Sequence, residues 1–181
     1  MDIHLSIHPS REGWVSFETD PRLTRTKERL HGRCLPCLTS LLEQLKGDPR
    51  EIALGPAWEC WKIVAVVESR EEGLELLERF SESHPGQYVY GKMGTGRGRD
   101  TVAVMFHTED AARKDELHRM LREVVGRHFP GRRVFTSRAC GDPYERLLGP
   151  WQEWAEKSPV RYPEQVARVR ADLREALYGR R

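Results

Sequence analysis

Hydrophobic and polar residues alternate along two short stretches near the N-terminus. Residues 3–7 alternate between aliphatic and polar side chains, and WVSFE at 14–18 repeats the pattern after a turn-like segment. Alternation with a period of two is typical of a strand with one buried face, so the two stretches predict a hairpin. The Asp20-Pro21 pair that follows favours a helix start, because aspartate caps helices and proline suits the first helical position.

The next hydrophobic pattern has a helical period. A first helix is predicted to run from Pro21 to about Leu30 and to stop at His31-Gly32, because glycine favours helix ends. Leucines at helical spacing then predict a second helix over 35–46.

Residues 59–139 follow the order strand, helix, strand, strand, helix, strand. The apolar stretches KIVAVVE and TVAVMFH predict buried strands, and Ser69 with Glu72 forms a capping box before the first of these helices. This order is that of a ferredoxin-like βαββαβ core, with its first and third strands in the centre of the sheet.

The whole chain is therefore predicted to be an α+β protein with a ferredoxin-like core at 58–140. The N-terminal hairpin and helices at 1–57 precede this core, and a C-terminal helical extension at 141–181 packs on it, making one domain overall. At 181 residues, such a chain can bury a core without a metal or disulfides.

Charge and cysteine content narrow the function classes. The formal net charge is only +2, which does not predict tight nucleic-acid binding from total charge. No segment resembles a secretion signal or a membrane span, so we expect no membrane association. Four cysteines without a secretion signal favour the reducing cytoplasm. Open sheet edges also favour self-association into a homo-oligomer.

The stretch HGRCLPCL offers three potential ligands in seven residues. Cys34 and Cys37 have the Cys-x-x-Cys spacing that lets two thiolates reach one ion, and His31 precedes them by three residues. The alternatives are a redox pair at a helix start and two small apolar side chains that fill a junction between helices.

The predicted sheet order brings further ligands together. Cys60 begins the first core strand, Cys140 ends the last, and His107 ends the third. Because the first strand lies between the other two and runs antiparallel to both, all three residues are expected at one sheet edge. They are the candidates to complete a zinc site with the Cys-x-x-Cys pair. The alternative is that they are unrelated strand-end residues.

The loop GKMGTGRGRD at 91–100 is a candidate anion site. Its glycines expose backbone N–H groups, and Lys92, Arg97 and Arg99 add positive charge. It matches neither a P-loop nor a dinucleotide fingerprint. The alternative is a hairpin tip without a ligand.

Three functions follow, in order of preference. The first is a cytoplasmic binding or regulatory module with a cysteine-based zinc site. The second is binding of nucleic acid or a phosphate ligand through the 91–100 loop. The third is a thiol-dependent enzyme that uses Cys140 or Cys34, with His107 as the base of Cys140. The sequence assigns no catalytic residues and does not decide whether the protein is an enzyme.

Overall fold

The computed structural model describes residues 3–7, 13–20, 26–95 and 102–179, except for the side chains of 6, 7 and 26–34. These residues form a mixed α+β structure. The helices are α1 (Thr26–Gln44), α2 (Arg70–Ser83), α3 (Ala111–His128), α4 (Gly141–Leu148) and α5 (Val166–Tyr178). The strands are β1 (His4–Ile7), β2 (Trp14–Glu18), β3 (Glu51–Ala53), β4 (Trp61–Val67), β5 (Tyr90–Gly94), β6 (Val102–Thr108), β7 (Val134–Arg138) and β8 (Lys157–Pro159).

Six strands form one sheet in the order β1-β2-β5-β6-β4-β7. The strands β4 and β6, predicted to lie in the centre, pair antiparallel from Trp61 opposite Thr108 to Val67 opposite Val102. The predicted hairpin β1–β2 is present and joins the sheet because β2 pairs with β5. The mixed α+β prediction is confirmed, but the hairpin makes the strand order more complex than that of a simple βαββαβ unit.

The start of α2 follows from the capping box in the sequence. The Ser69 hydroxyl accepts a hydrogen bond from the Glu72 N–H at 3.1 Å, which satisfies a backbone donor in the first helical turn. Similarly, the Asp110 carboxylate caps α3 by accepting from the N–H groups of Ala112 and Arg113.

The prediction of two separate helices before residue 46 is wrong. A single helix, α1, continues through His31 and Gly32 and contains Pro36. The hydrogen bond that proline lacks would have ended on the carbonyl of Gly32, four residues earlier. A helical glycine costs about 1 kcal/mol and a helical proline about 3 kcal/mol, which burial of Leu41 and Leu45 offsets.

The chain divides into two compact units, Met1–Leu30 with Trp61–Ser137 and His31–Cys60 with Arg138–Arg181. In the first unit, α2 and α3 pack on one face of the large sheet around a continuous apolar cluster. Phe80 of α2 packs edge-on against Phe106 of β6, with ring centroids 4.8 Å apart. This core follows from the alternating apolar positions of the strands and the helical stripes above them.

The second unit has its own apolar cluster, formed by the C-terminal half of α1 with α4 and α5. The strands β3 and β8 pair into a small separate sheet, which the sequence did not predict because three residues carry too little pattern. The Gln44 side chain hydrogen-bonds both backbone groups of Ala53 and so joins the end of α1 to β3.

Within the described ranges, no helix has both the length and the apolar composition that crossing a bilayer requires.

Candidate functional site

Tyr144 lies at the centre of a group of thiols in the second unit. It is the fourth residue of α4, and Cys140 is the N-cap of that helix. Long side chains on a helix lean toward its N-terminus, which directs the Tyr144 ring back over the turn that Cys140 begins. The ring is buried and packs against Trp154 at 5.9 Å between centroids.

The Tyr144 hydroxyl donates a hydrogen bond to the carbonyl oxygen of Cys37, with 3.4 Å between the oxygens. Burial raises the pKa of Tyr144 above its ordinary value, and the charges of Cys37, Cys140 and Cys60 raise it further. Because a Coulombic effect decays with distance, these three residues lie within electrostatic range of the phenol. We call Cys37, Cys60 and Cys140 the thiol cluster.

A backbone hydrogen bond brings two members of the thiol cluster together. The Ala139 N–H donates to the Cys60 carbonyl at 3.0 Å, so Cys60 lies beside the residue that precedes Cys140. Cys37 approaches from α1 and is 1% exposed, whereas Cys60 and Cys140 are partly exposed. All three are present as thiols.

A positive charge lies next to the thiol cluster. Arg138 is 5% exposed, and its guanidinium carbon is 4.0 Å from the centroid of the Trp58 ring, within cation–π range. Burial lowers the pKa of Arg138, while the charges of Glu59 and Cys60 oppose this effect.

The remaining residues of HGRCLPCL lie inside α1. The backbones of His31 and Cys34 belong to this helix, and their side chains lie outside the described residues. Among the side chains that are described, no group of three histidine, cysteine or acidic residues is arranged to hold a metal ion. The zinc site with Cys34, Cys37, Cys60 and Cys140 therefore stays a prediction.

His107 belongs to the first unit, and the thiol cluster belongs to the second. His107 lies in β6 opposite Lys62 of β4, and its ring stacks on Tyr90 with 6.4 Å between centroids. A role for this imidazole as a zinc ligand or as the base of Cys140 stays a prediction.

The predicted anion site is described only in part. Lys92 lies within β5, opposite Ser16 of β2, and is half-buried. Arg97 and Arg99 lie outside the described residues. Binding of a phosphate group or a nucleic acid at this loop stays a prediction.

A polar row crosses the large sheet, and sequence reasoning missed all of it except His107. Glu18 of β2 lies opposite Tyr90 of β5, Tyr90 stacks on His107, and His107 lies opposite Lys62. Glu18 is 1% exposed, and its Oε2 atom accepts no hydrogen bond from the described residues. Its place in the alternating stretch WVSFE put it on the face opposite Val15 and Phe17.

Sequence reasoning also missed Tyr144, Trp58 and Arg138 as parts of a site. The position of Tyr144 four residues after Cys140 is the signal that would have found it, because residues at this spacing are neighbours on a helix. The approach of Arg138 to Trp58 has no such signal, since 80 residues of chain separate them in the sequence.

Comparison of the chain with protein-family models, with curated proteins and with solved structures finds no match.

Proposed function

We propose that this protein is a cytoplasmic binding or regulatory module that binds zinc through thiolates in its second unit. The observation that supports this proposal is that three cysteines lie within electrostatic range of the buried Tyr144 hydroxyl. Their described side chains do not by themselves form a group that could hold an ion, so the proposal requires Cys34 and a closer approach of the thiols. Cys37 shares the Cys-x-x-Cys spacing of structural zinc sites with Cys34, and Cys60 and Cys140 come from other parts of the chain.

Cys34 supplies the fourth ligand in this proposal. It precedes Cys37 by three residues in α1, and residues three apart lie on the same face of an α-helix. Four thiolates around Zn²⁺ leave a net charge of −2, and the neighbouring Arg138 guanidinium offsets part of this charge. Thiolate ligands need a reducing compartment, so a cytoplasmic location belongs to the same proposal.

Metal analysis of the full chain, purified under reducing conditions without added zinc, tests this function. We expect about one equivalent of zinc. Replacing the metal with Co²⁺ is expected to give the intense sulfur-to-cobalt charge-transfer absorption of a thiolate site. Zinc below about 0.1 equivalent, with no such absorption after adding Co²⁺, would contradict the proposal.

Single substitutions assign the ligands. We expect each single cysteine substitution to weaken zinc binding by more than about tenfold: Cys34→Ser, Cys37→Ser, Cys60→Ser and Cys140→Ser. Loss of a residue that only hydrogen-bonds to a metal ligand already weakens binding by about 10–100-fold, so loss of a ligand itself should weaken it at least as much. His107→Gln is the matched control, because this histidine is the alternative ligand from the first unit. If zinc affinity falls in His107→Gln but is unchanged by one of the cysteine substitutions, the imidazole of His107 is the ligand in place of that thiol. His31→Gln tests the other histidine in the same way.

We further propose that β4, α2, β5, β6, α3 and β7 form a ferredoxin-like βαββαβ unit to which the β1–β2 hairpin has been added. The order β5-β6-β4-β7 within the six-stranded sheet supports this classification. The second unit is then an addition to that fold, built around the thiol cluster.

A further inference from the structure

A groove of about 390 Å³ opens to solvent along one side of α3. It is lined by charged and polar side chains of this helix: Asp115, His118, Arg119, Arg122 and Glu123. We propose that this groove binds the phosphate group of a small phosphomonoester through its two arginines. The groove lies in the first unit, so this inference does not rest on the zinc binding proposed for the second unit.

The helix places the two arginines side by side. Arg119 and Arg122 are three residues apart, and residues at this spacing are neighbours on a helix, with Cβ atoms about 5–6 Å apart. Both side chains are exposed. A guanidinium presents a planar fork of N–H donors that matches the oxygens of a phosphate. Two guanidinium groups on neighbouring side chains therefore donate hydrogen bonds to the same phosphate group.

The other charges around the groove leave these two arginines as the excess. Lys114 Nζ lies 2.9 Å from the Asp115 carboxylate, and Arg127 Nη2 lies 3.0 Å from the Glu123 carboxylate. Each carboxylate that lines the groove therefore has a cation of its own. Within the part of the chain that the structure describes, neither arginine of the groove makes a hydrogen bond or an ion pair through its side chain. The groove therefore attracts an anion.

The charge and the extent of the groove indicate a phosphomonoester. A phosphomonoester carries about −1.5 to −2 charges at neutral pH, which two guanidinium groups balance. Asp115 and Glu123 each lie four residues from Arg119, about 6 Å along the helix axis in opposite directions. A nucleic acid backbone that continued along α3 would meet a carboxylate on either side instead of a further unpaired cation. The volume is also at the lower end of the range for small-ligand pockets, about 300–1,000 Å³.

An NMR titration of the full chain with phenyl phosphate, in a buffer without phosphate or sulfate, tests the site. The Nε–Hε signals of Arg119 and Arg122 are expected to shift together, with a Kd of about 1 mM or lower. Diphenyl phosphate carries a single charge and is expected to bind more weakly. The absence of saturable shifts, or equal affinity for the two esters, would overturn the proposal. Tighter binding of a single-stranded oligonucleotide at these arginines would assign the groove to nucleic acid instead.

Arginine substitutions test whether the groove itself binds the ligand. Arg119→Gln and Arg122→Gln are each expected to weaken binding of phenyl phosphate by about tenfold or more, because each removes charge-assisted hydrogen bonds. Arg113→Gln is the matched control, since this arginine lies in α3, pairs with Glu116 and does not line the groove. An equal loss in Arg113→Gln would show that the net charge of the helix, and not the groove, attracts the ester.

A carboxylate substitution gives a change in the opposite direction. Asp115→Asn is expected to strengthen binding of phenyl phosphate by about twofold to fivefold, because it removes a negative charge beside the bound anion. Glu116→Gln, which removes a carboxylate that does not line the groove, is the matched control. Unchanged urea midpoints would show that these surface substitutions leave the fold intact. Weaker binding in Asp115→Asn would contradict the proposed site.

The loop at 91–100 is the competing place for a phosphate group. The double variant with Arg97→Gln and Arg99→Gln is expected to bind phenyl phosphate as the wild type does. Loss of binding in this variant, with binding retained in Arg119→Gln, would place the ligand at the loop and overturn the site on α3.

Discussion

At the scale of single residues, Gly91 shows how closely the strands of the large sheet pack. A Cβ atom at this position would lie 1.7 Å from the carbonyl oxygen of Met105 and 3.0 Å from the ring of Phe17. A strand backbone cannot move aside as the end of a flexible side chain can. Gly91→Ala is therefore expected to lower the free energy of unfolding by about 3 kcal/mol or more, measured by urea denaturation.

Gly126→Ala is the matched control for this residue. Gly126 lies in α3, and a Cβ there would meet nothing within 4 Å. Alanine favours a helix over glycine by about 1 kcal/mol, so this variant is expected to be as stable as the wild type or more stable. Equal urea midpoints for Gly91→Ala and the wild type would refute the close approach of β5 and β6.

At the scale of elements, Glu72 joins the start of α2 to the turn before β7. Its carboxylate accepts hydrogen bonds from the Glu68 N–H at 2.5 Å and from Arg132 Nε at 2.7 Å. Burial raises the pKa of Glu72, but the hydrogen bond from Arg132 and those from the backbone outweigh it and leave the pKa below 4.5. Because folding lowers this pKa, its stabilising effect is present above pH 4.5 and is lost as pH falls through the folded-state pKa.

Glu72→Gln is therefore expected to lower the free energy of unfolding by about 1 kcal/mol at neutral pH. The difference from the wild type is expected to shrink as the pH falls below 4.5 and through the lowered folded-state pKa, where the carboxylate of the wild type becomes protonated. Urea denaturation at several pH values measures both effects. Glu71→Gln, an exposed neighbour in the same helical turn, is expected to change stability by less than about 0.5 kcal/mol. If Glu72→Gln lowers the free energy of unfolding by the same amount at every pH, the charge of Glu72 is not the cause of the lost stability.

At the scale of the whole molecule, each of the two units contains an apolar core of its own. Leu147 is fully buried in the core of the second unit, whereas Leu35 of the same unit is 47% exposed. Leu147→Ala is expected to cost about 2–5 kcal/mol, because it removes buried contacts and leaves a cavity. Leu35→Ala is expected to cost less than about 0.5 kcal/mol.

Hydrogen exchange of the amides in α4 and α5 measures the loss of stability within the second unit. This measurement does not assume that the whole chain unfolds in a single transition. Equal losses of protection in Leu147→Ala and Leu35→Ala would contradict the described core.

Most regular elements of the first unit were predictable from the sequence. Capping residues and apolar stripes predict the helices α2 and α3, and runs of buried aliphatic residues predict the strands β4 and β6. The predicted helix end at His31-Gly32 was wrong. The cost of a glycine within a helix, about 1 kcal/mol, is smaller than the free energy gained by burying the leucines that continue α1. The zinc and anion sites stay predictions, because local pattern names only the residue types and their possible partners lie far apart in the chain.

The sequence by itself determined the mixed α+β class, the hairpin and the capped helices, because these features depend on side chains within a few positions of one another. Only the tertiary structure decided that β2 pairs with β5, that 31–60 and 138–181 share a core, and that Tyr144 hydrogen-bonds to Cys37. The hydrogen bond from Tyr144 to Cys37 spans 107 residues of chain. Contacts at such separations depend on how whole elements pack, and no local pattern specifies that packing.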